Sequence, residues 1–385
     1  MQITVTRRGL RNTVLALSML ALAGCSMFSN KNPRYDPVPL TEYAAGVSAN
    51  VAWSVSIGSG GSFGFVPVLV GDSVYAAAPN GAVSKVDLAS GRVQWRGDAK
   101  TDLTAGVGSD GGTTAVAAAD GTVVAFDDSG TEKWRAKATS AVNIPPAVGA
   151  GVVVVRSSDY RIQAFDAATG EPRWNIQRPG PALALKTNMQ MIIVDGMLIS
   201  GLPNGRMMAI NASNGSVQWE GTISVSQGAT DLERISDVVG TPQIQGPLLC
   251  GVAYQGRAVC FDVSQGGRPV WEQNFSSNTG MATDIQQAYI ADQRDVVHAF
   301  ALADGHEVWK QDGLRNRRLS APAVVPQAVA FGDFEGYVHF LSRTDGKLLG
   351  RVKVGGDAIT SPLLATDRGV LVQTGNGNLV LVGVN

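Results

Sequence analysis

The chain has 385 residues with 31 Lys plus Arg against 32 Asp plus Glu, and a net charge of -1 leaves no basic field for nucleic acid and no acidic one for a polycation. Its 46 glycines are about 12% of the chain, above the usual ~7%, and its 16% charged residues fall below the usual ~25%, which excludes a disordered, coiled-coil or collagen-like protein. Hydrophobic residues at 44% supply a core, but the longest apolar run covers about eleven residues against the ~20 of a membrane helix, so the mature protein is not expected to span a bilayer.

At the N-terminus Arg7, Arg8 and Arg11 precede TVLALSMLALA, and the run closes on Leu22-Ala23-Gly24-Cys25. Charge, apolar run and small residues in that order make an export signal. The ending resembles a bacterial lipobox, which implies a lipoprotein signal peptide over 1–24, cut before Cys25, and a lipid on the Cys25 thiol. An ordinary secretory signal with an incidental cysteine is the alternative. One acyl chain holds a protein only marginally, whereas the several implied here make a stable anchor. Ser26 rather than Asp after the cysteine goes, in such families, with transfer to the outer membrane. Residues 25–49 carry Pro33, Pro37 and Pro39, which interrupt any periodic pattern and predict an extended tether.

From residue 50 a repeat of about forty residues takes over. Tryptophans stand at 53, 95, 134, 174, 219, 271 and 309, with gaps of 42, 39, 40, 45, 52 and 38. Most close a recurring string: KVDLASGRVQW at Trp95, AFDDSGTEKW at Trp134, AFDAATGEPRW at Trp174, AINASNGSVQW at Trp219, CFDVSQGGRPVW at Trp271 and AFALADGHEVW at Trp309. HFLSRTDGKLLG puts Gly350 in the tryptophan slot. An apolar strand, an Asp or Asn able to close an Asx-turn, a Gly suited to positive φ and a second strand spell a hairpin. With four short strands per repeat and no helical period, residues 50–385 are predicted to form an all-β, eight-bladed propeller of four-stranded antiparallel blades. The strand around Trp53 has no blade before it and the last unit lacks its fourth strand, so the N-terminal strand is expected to complete the final blade and close the ring. Recurrence in every blade assigns the tryptophans to packing between blades.

Few residues suggest chemistry. His298, His306 and His339 are the only histidines, at non-equivalent repeat positions, and read as surface or strand residues. The glycine-rich segment 58–64 precedes no helix and reads as a strand connection. Cys250 and Cys260 flank a hairpin centred near Gln255, either as a cross-strand disulfide or as paired buried thiols. The longer gaps are more informative, because repeat insertions map to loops and loops carry binding. RPGPALALKTN offers Leu183 and Leu185 beside Lys186; SVSQGATDLERISDVVGTP offers Asp231, Glu233, Arg234 and Asp237. Apolar side chains rimmed by charge predict a protein-docking patch. The basic stretch Leu314-Arg315-Asn316-Arg317-Arg318-Leu319 reads as a solvated charge run, with an acidic partner or lipid headgroups as the alternative.

The Ala-[Phe/Ile]-Asp-x-x-[Thr/Ser]-Gly-x-x-x-Trp strings resemble the repeat of pyrroloquinoline-quinone (PQQ) dehydrogenases and their propeller relatives. Quinoprotein enzymes would be expected to show adjacent cysteines and a calcium site, and no Cys-Cys occurs here. Lipobox, tether and eight blades together resemble the BamB family, lipoprotein subunits of the outer-membrane β-barrel assembly machine. Leu183-x-Leu185-Lys186 resembles that family's Leu-x-Leu-Arg segment and residues 233–237 its acidic loop, with Lys186 for Arg and Val239 for a second Asp. Lys cannot make the bidentate contact of Arg. The resemblance implies a noncatalytic scaffold without cofactor or metal. It implies Leu183, Leu185, Lys186, Arg234 and Asp237 as the contact with BamA POTRA domains, other subunits reached through BamA, and unfolded outer-membrane proteins as clients. A PQQ-dependent periplasmic dehydrogenase or a glycan-binding propeller is the alternative.

Overall fold

Each repeat folds as a meander because its apolar runs are too short for helices and are separated by Asx–Gly turns. In five hairpins the Asp or Asn carboxyl or amide oxygen accepts backbone N–H groups two or three residues on, as Asp87 does from Ser90 at 2.8 Å and Asn211 from Ser213 at 3.0 Å. The computed structural model describes residues 33–60 and 64–385. The chain divides into two units, residues 1–38 and 39–385. Among the described residues of the first is one 3-10 turn, Pro33–Tyr35; the signal peptide and Cys25 lie outside the described residues.

The second unit is the expected propeller. Its eight four-stranded antiparallel sheets cover 68–98, 108–137, 147–177, 191–222, 238–275, 281–311, 323–353 and, for the eighth, 364–384 joined by Ala49–Ser56. The core is eight clusters, one between each pair of neighbouring blades. A blade is therefore covered on both faces. Its second strand reads as a continuous apolar run, as in the fully buried Val152–Arg156, while its outer strand alternates, as in Val93–Asp98.

Seven tryptophans bridge the blades. Each indole lies under the positive-φ glycine of the next blade's outer hairpin: Trp53 under Gly91, Trp95 under Gly130, Trp134 under Gly170, Trp174 under Gly215, Trp219 under Gly267, Trp271 under Gly305 and Trp309 under Gly346. A Cβ at any of these glycines would come within 1.9–2.8 Å of the ring, so both the backbone angle and the contact demand glycine. The eighth seam differs because blade eight has no such hairpin: its outer strand comes from the other end of the chain. Val47 sits against Gly350, where a Cβ would meet the Val47 side chain at 2.9 Å, and the missing tryptophan is thereby explained.

Ala49–Ser56 pairs antiparallel with Asn378–Val384, from Ala49 opposite Val384 to Ser56 opposite Asn378. The backbones of Ser48 and Asn385 exchange both hydrogen bonds at 2.9 Å. The segment before it, read from sequence as free tether, lies along blade seven. Leu40 packs into the cluster between blades six and seven, Arg351 donates to Thr41 O at 2.8 Å and Glu42 at 2.5 Å, and the Gly46 amide donates to Leu349 O at 2.7 Å. Leu40 and Val47 bury apolar surface that a solvated tether would expose. Deleting 49–56 is expected to lower the melting temperature far more than deleting 26–38, because only the former strips Asn378–Val384 of its partner strand and leaves the eighth blade incomplete; equal melting temperatures in thermal scans would contradict closure.

Candidate functional site

In an antiparallel meander the blade-to-blade connections and the second turn share one end of the propeller, and the first and third turns share the other. Both insertions, 178–190 and 223–237, lie at the connection end. Leu183 is 44% exposed, and Leu232 and Val225 are exposed to 67% and 60%. Lys186 and Arg234 are exposed as well, with Arg234 Nε donating to Gly228 O at 3.0 Å. Glu233 faces its own loop, accepting the Ala229 and Thr230 amides at 2.8 and 3.0 Å. Leu185 is half-buried against the cluster between blades five and six.

Asp237, grouped from sequence with the surface charges, is fully buried. Its Oδ2 accepts the Leu185 amide at 2.5 Å and so ties the two insertions together, while Oδ1 has no partner among the described residues. Beneath lies Arg156, 7% exposed, which donates to Gly201 O and approaches Met189 Sδ at 3.6 Å. Burial pushes the Asp237 carboxyl up to about 6, against the opposing pull of the Leu185 amide and Arg156. Burial likewise lowers Arg156 to about 10, with Asp237 resisting. A cavity of about 300 Å³ opens here, lined in part by Ile144, Arg156, Leu185, Lys186 and Met189.

The first insertion is pinned once more where it meets blade four. Asn188 is 4% exposed; its side chain accepts the Gly64 amide at 2.6 Å and donates to Thr360 O at 2.6 Å, while its carbonyl accepts the Gly240 amide at 2.9 Å. Gly64 leads into blade one, Thr360 into blade eight and Gly240 belongs to blade five, so one side chain reaches across the ring from the entry of blade four. Thr187 adds a bond to Asn278 O at 2.7 Å. Neither Asn188 nor Arg156 was singled out by sequence. Arg156 carried a signal, a charge closing the run Val152–Val155 inside a strand that should be buried; Asn188 carried none.

Elsewhere the basic loop departs from expectation. Arg317 is 3% exposed and ion-paired with the buried Asp333 at 2.7 Å and with Glu335, and its guanidinium lies 5.2 Å from the Phe334 ring centre. Leu314 and Leu319 are core. Positive φ at Asn316 and Arg318, 61° and 52°, turns Arg317 inward, so this loop is built on a buried ion pair, and Arg317 alone of its arginines is buried. His339, 1% exposed, shares the Asp333 carboxylate at 2.8 Å, whereas His306 is exposed beside Asp304. Cys250 and Cys260 pair directly across the hairpin and are joined as a disulfide.

Two outcomes follow from these burials. Asp237 binds its proton more tightly folded than unfolded, so its stabilising contribution is complete below about pH 3.8 and is lost as pH rises through about 6. Asp237→Asn, which keeps an acceptor for Leu185, is expected to raise stability at pH 7.5 by about 1–2 kcal/mol and to lose that advantage near pH 4, read by denaturant titration at both pH values. Arg317→Met leaves the buried Asp333 carboxylate only His339 and the Glu335 and Tyr337 amides and is expected to cost about 3 kcal/mol in the same assay; a solvated arginine would cost almost nothing.

Comparison with known proteins bears on what this surface serves. A family profile described as outer membrane protein assembly factor BamB matches residues 79–311. The outer membrane protein assembly factor BamB of Bordetella pertussis is 60% identical over 378 residues, covering 98% of each chain. That of Burkholderia pseudomallei is 39% identical over 365 residues, 94% of this chain and 95% of the relative. Among solved structures, BamB from Moraxella catarrhalis superposes with a TM-score of 0.81 at 22% identity, over 87% of this chain and 100% of that one, a likeness of fold.

Proposed function

The chain belongs to the BamB family of outer membrane protein assembly factors, and from that premise we propose that it docks onto the periplasmic POTRA domains of BamA through Leu183, Leu185, Lys186, Arg234 and Asp237. Its role is that of a noncatalytic assembly factor, and neither the quinoprotein dehydrogenase nor the glycan-binding reading is favoured by its relatives. The observation that carries the docking proposal is the Asp237–Leu185 bond, which holds the two insertions as one surface and leaves Leu183 exposed at its edge. Leu183 supplies an apolar anchor. Lys186 and Arg234 set charge register at the rim, and Asp237 works from below by fixing the Leu185 backbone. Lipid on Cys25 would hold the propeller at the periplasmic face of the outer membrane, where it assists insertion of unfolded outer-membrane proteins and meets other subunits through BamA.

Burial separates the two leucines. Leu183→Ala is expected to weaken capture of a purified BamA POTRA fragment by ~30-fold or more, about 2 kcal/mol, with an unchanged melting temperature. Leu185→Ala is expected to lower both capture and melting temperature, because its side chain also fills the seam between blades five and six. Normal capture by a well-folded Leu183→Ala protein would move the interface to another surface.

A further inference from the structure

The length of each outer hairpin decides what becomes of the indole beneath it. In five hairpins the glycine follows the Asx position by four residues: Asp87 to Gly91, Asp166 to Gly170, Asn211 to Gly215, Ala301 to Gly305 and Ser342 to Gly346. There the indole Nε1 donates to the main-chain carbonyl just after that position, Leu88, Ala167, Ala212, Leu302 or Arg343, at 2.8–3.1 Å. Blade two is one residue shorter, Asp127 to Gly130, and Trp95 Nε1 is buried without an acceptor among the described residues. Blade five is one residue longer, Asp262 to Gly267, and turns through a short 3-10 segment, Val263–Gln265. Over it Trp219 stands edge-on to Phe261 at 70°, where Trp95, Trp134 and Trp271 lie at 29–38° to their phenylalanines. Trp219 Nε1 has no acceptor among the described residues, yet it is not sealed in: the indole lines a groove of about 430 Å³ between blades four and five.

The groove's walls include Met197, Ile199, Leu248 and Leu249, and its rim Val194, Ile244 and Val263, exposed to 40%, 41% and 51%. Asp195 is its one charged lining residue and no cation lines it, which disfavours an anionic headgroup. At the five regular seams the same donor is met by a main-chain carbonyl with apolar packing around it. The complement of the open seam is therefore a main-chain carbonyl flanked by a bulky apolar side chain, as an extended polypeptide presents it. Strands of outer-membrane barrels alternate apolar and polar residues and are rich in aromatics, so an unfolded one offers this pair at every second residue.

We propose that the groove between blades four and five binds an extended segment of unfolded outer-membrane β-strand, seating one large apolar side chain against Trp219 with a neighbouring carbonyl on Nε1. The occupant's identity rests on the family's assembly role, and the site itself is independent of the docking surface. Its lining hairpins, at Asp195, Gly246 and Val263–Gly267, lie at the end of the propeller opposite Leu183, Leu185 and Asp237.

The test uses the full chain in detergent and a fluorescent twelve-residue peptide alternating Phe, Tyr or Leu with Ser, Thr or Gln. A control peptide has every apolar residue changed to Ser. Anisotropy is expected to show binding of the first peptide at least tenfold tighter than the second, with a change in tryptophan fluorescence. Deleting Gly267 restores the four-residue spacing, lets Trp219 donate to Val263 O and closes the groove; tenfold weaker binding or worse is expected. Val263→Glu with Ile244→Glu, both on the exposed rim, is expected to do the same without loss of melting temperature, whereas Val308→Glu on blade six, equally exposed, leaves binding unchanged. Should the deletion unfold the seam, the rim variants decide alone. No binding to the wild-type chain, equal binding of both peptides, or wild-type affinity in folded rim variants would overturn the proposal. POTRA capture measured on the same preparations is expected to survive every groove variant, and its absence in the wild type would sink the docking reading while leaving the peptide result standing.

Discussion

A ring of sheets holds together only if every seam is filled, and here the filling unit is an indole from one blade under a glycine from the next. The contact is bipartite. Tryptophan supplies area and one hydrogen-bond donor; glycine supplies a positive φ and the absence of a Cβ. Neither half is useful alone, which is why the two recur together along the chain. The eighth seam tests this logic, since blade eight is assembled from both ends of the chain and has no outer hairpin. With no glycine to receive an indole, position 350 is itself a glycine, and Val47 takes the space from the N-terminal side. Closure and the loss of one tryptophan are the same event.

Once seams carry the stability, the connections are free to vary, and the two longest became the candidate docking surface. They are nonetheless tied down at three depths. Asn188 binds across the ring to the entries of blades one and eight, Asp237 binds the Leu185 amide, and Thr187 binds the turn before blade six. Such anchoring reduces the ordering cost that a long loop would otherwise incur on binding. It also links the surface to closure, because the partners of Asn188 flank the seam between the last and first blades. The buried Asp237 with an unpartnered oxygen is expensive for the fold, and it lies where the two insertions must meet.

What could be read in sequence was whatever depends on local spacing. The tryptophan period, the Asx–Gly turns and the unpaired strand around Trp53 gave blade number and closure, and the hairpin centred near Gln255 put Cys250 opposite Cys260. What escaped depends on which way a loop residue turns. Arg317 lies among other arginines, and only two positive-φ neighbours send it inward to Asp333. Asp237 and Arg234 look alike in sequence, yet one is buried and the other exposed, because Asp237 directly precedes the blade-five strand that starts at Val238 while Arg234 is still out in the loop. The last ten residues of the proline-bearing segment looked like linker, since Leu40 and Val47 find their apolar partners some three hundred residues away in blades six to eight.

Hairpin length is the finest of these local signals, and it acts through geometry rather than composition. One residue fewer in blade two leaves the Trp95 donor buried and unmet; one more in blade five tilts Trp219 and opens an apolar groove. A buried, unpaired indole N–H costs on the order of 1–3 kcal/mol, and an open apolar seam forfeits burial as well. In a ring with six other filled tryptophan seams the loss at one is tolerable, because stability in repeat folds is close to a sum over neighbouring units. A propeller can therefore set aside a single interface for recognition without endangering closure. It can do so at the end away from the connection loops, which leaves one rigid body with two independent faces to work with.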